Sequence, residues 1–128
     1  MISEFCPEGG LDKLYSNEEV PFPWALRLKV VQDVAAALNF LHCALGMCFC
    51  FVAIPYYCEL GMDPKVVHLD IKAPNVLMCS LDPTAKVVCK LADFGTAKLM
   101  LTPVLAGRYV ENPLYLAPEV LLIPFCVG

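Results

Sequence analysis

Residues 66 to 77 read "VVHLDIKAPNVL", and this stretch decides how the rest of the chain is interpreted. Within eight positions it places His68, Asp70, Lys72 and Asn75, with apolar residues on both sides. Each taken alone has an ordinary structural explanation. An aspartate close to a lysine is commonly a solvated turn, and a single histidine beside valines is commonly a core residue satisfied by one hydrogen bond. The spacing and the neighbouring segments give the set its meaning.

The chain has 128 residues, enough for one domain or part of one. Its composition is 59% hydrophobic and 17% charged, more apolar than a usual solvated domain. The net charge is −4, and the lysines and arginines are scattered, so the cationic footprint of a nucleic-acid-binding protein is missing. Eight cysteines are present but no Cys-x-x-Cys pair, and His42 and His68 are the only imidazoles. Buried reduced thiols account for this better than a zinc site. The opening "MISEFCPEGG" carries Glu4 and Glu8 and no basic region leading into an apolar run, so a cytoplasmic setting is expected rather than a secretory leader.

The strongest helical pattern is "PFPWALRLKVVQDVAAALNFLH" at residues 21 to 42, where Leu26, Val30, Val34, Leu38 and Leu41 recur three or four apart and Pro23 suits the first turn. A shorter helix is expected in "LDKLYSNEE", preceded by the end of a strand within residues 1 to 7 and a turn around Pro7, Gly9 and Gly10. "NVLMCS" and "KVVCKLADF" flank the turn-forming "LDPTA" and read as a hairpin. From Gly95 onward the prolines and weak periodicity predict a long loop with a short helix near Ala117. Residues 43 to 58 form an uncharged run that is short for a bilayer span and broken by Pro55. It is the one hint of a membrane, which is not expected as a partner.

Transfer of a phosphoryl group asks little covalent work of a protein. It needs a base beside the acceptor hydroxyl, a cation beside the moving phosphate and oxygen ligands for magnesium. Asp70, Lys72, Asn75 and Asp93 supply those groups. Asp70 and Asn75 stand five apart, and "DFG" at Asp93 to Gly95 follows eighteen positions after Asn75.

With these motifs in order, the chain resembles a eukaryotic protein kinase domain, from the hinge between its lobes to the end of the activation segment. "SEFCPEGGLDKL" is similar to the hinge and following helix, "HLDIKAPN" to the catalytic loop, "ADFG" to the magnesium loop and "APE" at Ala117 to Glu119 to the segment's end. The resemblance implies an α+β fold: part of a mainly helical C-lobe carrying a small hairpin and a remnant hinge strand. It implies that Asp70 accepts the substrate hydroxyl's proton, that Lys72 meets the γ-phosphate of ATP, and that Asn75 and Asp93 hold two Mg2+ ions. The main chain at Glu4 and Cys6 would bond adenine, Leu77 would lie beneath it and Ser3 would be the gatekeeper. His68 and Phe94 would pack together, and Glu119 would pair with an arginine elsewhere in the domain.

Lys72 within "DIKAPN" resembles the serine/threonine pattern, so the implied partner is a protein with a serine or threonine acceptor. "FCPEGGL" and "PLYLAPEVL" look closest to the tyrosine-kinase-like group, with its receptor-interacting, mixed-lineage and Roco-type members. Three departures stand out. Leu69 replaces an arginine that in the family binds a phosphorylated activation segment, and leucine offers no donor for that. "ENP" at residues 111 to 113 stands where a threonine is usual. Residues 43 to 61 look inserted between the long helix and the catalytic loop, either non-coding sequence carried into the reading frame or a membrane-facing insertion. No G-x-G-x-x-G loop occurs in the 128 residues, so the chain alone is expected to be inactive, and a truncated pseudokinase serving as an interaction module is the alternative.

Overall fold

A computed structural model describes residues 4–44, 65–100 and 113–115. The expectations for Ser3, for most of the inserted stretch at 43 to 61, for the helix near Ala117 and for Glu119 lie outside the described residues. In chain order the elements are β1 (Gly9–Gly10), α1 (Leu11–Ser16), α2 (Trp24–Asn39), β2 (Lys65–Val67), β3 (Val76–Met78), β4 (Cys89–Leu91) and β5 (Lys98–Met100). β1, β3 and β4 form an antiparallel sheet with β3 in the centre, and β2 pairs antiparallel with β5.

The long helix forms where its periodicity placed it, with adjusted ends. Pro23 is the residue before the helix rather than part of its first turn, and its carbonyl accepts from the Leu26 and Arg27 amides. Proline suits that position because its fixed φ feeds the chain in and its own lack of N–H is harmless there. Phe22 anchors the entry. Its ring meets Tyr15 edge-on at 5.1 Å and lies under the Arg27 guanidinium, whose Nε donates to the Phe22 carbonyl. At the other end the α geometry gives way to one wider π turn, Phe40–Ala44, instead of running on through His42.

Leu26 and Val30 of α2 enter a core completed by Leu11 and Leu14 of α1, Val76 and Met78 of β3, and Val88 and Cys89. Leu26, Met78 and Val88 are fully buried. Burying each such side chain is worth about 1.5–3 kcal/mol, and this holds the sheet against the helix. Strand alternation does the rest: Val76 and Met78 face the core, which leaves Leu77 half-buried on the opposite face.

The hairpin formed as expected, with Val76 opposite Leu91 and Met78 opposite Cys89. Its turn is closed by Asp82, whose Oδ1 accepts from the amide and hydroxyl of Thr84 while its carbonyl accepts from the Ala85 amide. The expected strand near the N-terminus is displaced: residues 4 to 6 have no strand geometry, and the pairing falls on Gly9 and Gly10 against Met78 and Leu77. Both glycines suit this contact. Gly9 has a φ of +71°, and a Cβ on Gly10 would come within 3.3 Å of the Pro74 carbonyl oxygen. A second departure is β5, which lies inside the expected loop after Gly95 and pairs Lys98 with Val67. Among the described residues, no helix is long and apolar enough to cross a membrane.

Candidate active site

The loop between β2 and β3 folds back on itself. Lys72 is extended, and Ala73–Asn75 then makes a 3-10 turn, with Pro74 inside it and the Asn75 amide donating to the Lys72 carbonyl. This reversal aims the Asn75 side chain at Asp70. Asn75 Nδ2 donates to the Asp70 main-chain oxygen and to Asp70 Oδ2, each at 2.9 Å. The Lys72 ammonium lies 2.6 Å from the same Oδ2. Asp70 and Asn75 are 7% and 6% exposed, so these bonds are made largely out of water, where they are strongest and where a missing partner costs most.

The Lys72 ammonium, followed by the Asn75 amide, holds the Asp70 carboxyl below the ordinary aspartate value, against the upward push of burial. Asp70 is therefore a carboxylate at neutral pH, able to accept but not donate. With Nδ2 committed, the Asn75 carbonyl oxygen Oδ1 stays out of both bonds and can serve as a ligand.

Asp93 approaches from the other side of the hairpin. The Ala92 amide donates to the Asn75 carbonyl at 2.8 Å, and the Ala92 carbonyl lies 3.0 Å from His68 Nε2. Since that carbonyl can only accept, Nε2 carries the imidazole proton, and Nδ1 is left buried without a partner. Asp93 itself is left-handed, with φ 61° and ψ 74°, and its Oδ1 accepts from the Gly95 amide. The Phe94 ring stands 4.8 Å from the His68 ring, the contact implied for this pair. Thr96 closes the arrangement by donating its hydroxyl to the His68 carbonyl.

Thus Asp70, Lys72 and Asn75 are brought into direct contact, and Asp93 is joined to them through the main chain of Ala92. Leu69 also takes a positive φ, 68°, in the loop just before Asp70. Glu4, Cys6 and Leu77 form a second group at the three-stranded sheet, where Lys90 is the cross-strand partner of Leu77. The Glu4 carboxylate pairs with Lys90 of β4, the Glu8 amide donates to the Met78 carbonyl, and Cys6 Sγ lies 3.2 Å from Cys79 Sγ. The Cys6 carbonyl also accepts a turn bond from Gly9.

A structural residue missed by sequence reading ties α2 to the start of β4. Asp33 of α2 accepts with Oδ2 from the Val88 and Cys89 amides, while its Oδ1 lies 2.6 Å from the Lys29 ammonium. Burial pushes the Asp33 carboxyl up, but Lys29 and the two amides together bring it below its ordinary value. The available signal was a carboxylate set among Val30 and Val34 on the inward stripe, four residues after a lysine.

The donor set suits magnesium, which commonly takes one or two protein oxygen ligands and fills its remaining positions with water and phosphate. Asn75 Oδ1 and the exposed Asp93 carboxylate are of that kind. Among the described residues no cluster of three or more histidine, cysteine, aspartate or glutamate side chains could hold a metal by itself.

The fold, the catalytic-loop geometry and the Asp93 turn define a protein kinase class. The family model for the protein kinase domain matches residues 1–124, and the chain belongs to that family. It is similar to the probable serine/threonine-protein kinase pats1 of Dictyostelium discoideum, 34% identical over 121 residues, which are 94% of this chain and 3% of that protein. The cyclic GMP-binding protein C of the same organism is 30% identical over 94% of the chain and 4% of its own length. The receptor-interacting serine/threonine-protein kinase 4 of Mus musculus is 34% identical over 98 residues, 77% of this chain and 9% of that protein. The chain therefore spans a small part of the relatives it matches.

Proposed function

We propose that this chain carries the catalytic loop and magnesium loop of an ATP-dependent protein serine/threonine kinase acting in the cytoplasm. The observation that carries the reading is the Asp70 carboxylate held by Lys72 and Asn75, with Asp93 tied to the same loop through Ala92. Serine/threonine specificity is supported by the names of the relatives and by Lys72 within "DIKAPN".

In this reading Asp70 accepts a hydrogen bond from the substrate hydroxyl and aims its oxygen at the phosphate. A carboxylate held below its usual value is a weak base, so it takes the proton late, once the new oxygen–phosphorus bond has made the hydroxyl acidic. Lys72 turns its ammonium toward the γ-phosphate. Asn75 Oδ1 and the Asp93 carboxylate would hold Mg2+, which when bound would offset charge on the phosphate oxygens. Leu77, turned away from the core, and the main chain of Glu4 and Cys6 would hold adenine. Leu69 removes one mode of control, the pairing with a phosphorylated activation segment, and leaves Asp70 in place.

The alternative reading is a pseudokinase that serves as a protein-interaction module and would need no transfer at all. Thermal melting with and without MgATP separates the two. At a hundred times its Kd a ligand stabilises by about 2.7 kcal/mol, so a rise in Tm that Asp93→Asn removes supports the kinase reading. No rise at millimolar MgATP favours the interaction module.

A further inference from the structure

The two thiols that flank the sheet edge have no part in phosphoryl transfer. Cys6 precedes β1 and Cys79 follows β3, 73 residues apart in sequence, yet their sulfurs lie 3.2 Å apart. A disulfide requires about 2.05 Å, so closing the bond asks for a movement of roughly 1 Å. The neighbouring backbone already holds the two segments side by side, through the Glu8 amide on the Met78 carbonyl and the pairing of Gly9 with Met78. Both thiols are half-buried and reachable by a small reagent. Cys89 is buried on the core face with its Sγ on the Val30 carbonyl, and does not compete.

We propose that Cys6 and Cys79 form a reversible intramolecular disulfide, a redox site that locks the segment leading into β1 onto the end of β3. The oxidant is a small-molecule disulfide of the glutathione class. Burial, then the neighbouring Cys6 thiol, pushes Cys79 up to about 11, which disfavours its thiolate and suits Cys79 to the second, resolving step. Cys6 gives its proton to solvent and attacks one sulfur of oxidised glutathione, breaking that S–S bond and expelling a glutathione thiolate that takes up a proton. Cys79 then loses its proton as it attacks the Cys6 sulfur of the mixed disulfide and expels the second glutathione. Two protein thiols are oxidised by two electrons and one oxidised glutathione becomes two reduced molecules. The lock stands on this geometry and is independent of the kinase reading.

The test uses the full chain, reduced, then equilibrated in glutathione buffers of increasing oxidised fraction, quenched in acid, alkylated and digested with trypsin without reduction. Cleavage after Lys13, Lys72 and Lys86 places Cys6, Cys79 and Cys89 on separate peptides. The expected product is a linked pair of peptides 1–13 and 73–86, lighter than its reduced components by two hydrogens and split by dithiothreitol. Cys79→Ser abolishes it, Cys89→Ser retains it, and the oxidised chain melts at a higher temperature than the reduced one. The proposal is overturned if Cys6 and Cys79 are recovered only as alkylated or glutathione-bound thiols in the most oxidising buffer. It is overturned equally if the link forms as readily in urea as in native buffer, since the fold would then contribute nothing to the pairing.

Discussion

Asn75 and Asp70 are joined twice through one nitrogen: Asn75 Nδ2 donates at 2.9 Å both to the Asp70 carbonyl and to its carboxylate. The pair of hydrogen bonds fixes the carboxylate's direction, while Lys72 does most to hold its charge. Rotation about χ1 or χ2 of Asp70 would break one of the two while the other held.

Asn75→Ala is therefore expected to cost about 2–3 kcal/mol, since it strips a nearly buried carbonyl and carboxylate of a donor and removes no comparable strain. Asn75→Asp should cost more at neutral pH than at pH 3. The new carboxylate faces Asp70 when both are ionised, and protonating one of them restores a donor. Urea denaturation at the two pH values measures this, and equal losses at both would show that the amide is not what orients Asp70.

The lowered Asp70 carboxyl predicts a pH dependence with a definite sign. A carboxyl whose folded value lies below its unfolded one adds stability that is fully present above the unfolded value, here 3.8, and is lost as pH falls from there through the lowered folded value. Lys72→Met removes the largest cause of that lowering, so the variant should lose less stability between pH 5 and pH 2 than the parent does. Acid titrations of ΔG for both chains check this. Parallel curves would mean that Lys72 does not hold the carboxylate in solution.

Much of this arrangement was legible in the sequence because short-range chemistry sets it. Asp70, Lys72 and Asn75 lie within one reversal of the chain, where Pro74 and the spacing leave few alternatives. Leu26, Val30 and Leu41 are buried as their periodicity required. Pairing between distant segments was less legible. Nothing local in Gly9 and Gly10 marks them as strand, since they have no side chains to alternate; they pair because β3 offers an open edge with room for bare backbone. Lys98 to Met100 pair with residues more than thirty positions earlier, a partnership that no window around Gly95 contains. Asp33 reads as a polar interruption of an apolar stripe until the amides of Val88 and Cys89 are placed opposite it.

That placement makes Asp33 the joint between α2 and the start of β4. Asp33→Ala leaves the amides of two buried residues without their acceptor and the Lys29 ammonium without its carboxylate, and should cost about 3 kcal/mol. Asp33→Asn keeps one accepting oxygen and should cost less. Lys29→Met should cost about 1 kcal/mol, because Lys29 is partly exposed and the Val88 and Cys89 amides remain satisfied without it. Chemical denaturation of the three variants orders them, and a Lys29 variant as damaged as Asp33→Ala would move the joint from the amide bonds to the ion pair.

The two faces of β3 should separate stability from nucleotide binding. Met78 points into the core with no exposed surface, and Met78→Ala is expected to cost about 2–5 kcal/mol through lost burial and the cavity left behind. Leu77 is half-buried on the other face, so Leu77→Ala should cost about 1 kcal/mol of stability by the area it removes from contact. If that face lies under adenine, the rise in Tm given by MgATP should shrink sharply in Leu77→Ala even though the variant remains folded. A Leu77 variant that keeps the full MgATP-dependent rise would place the nucleotide away from β3 and remove Leu77 from the site.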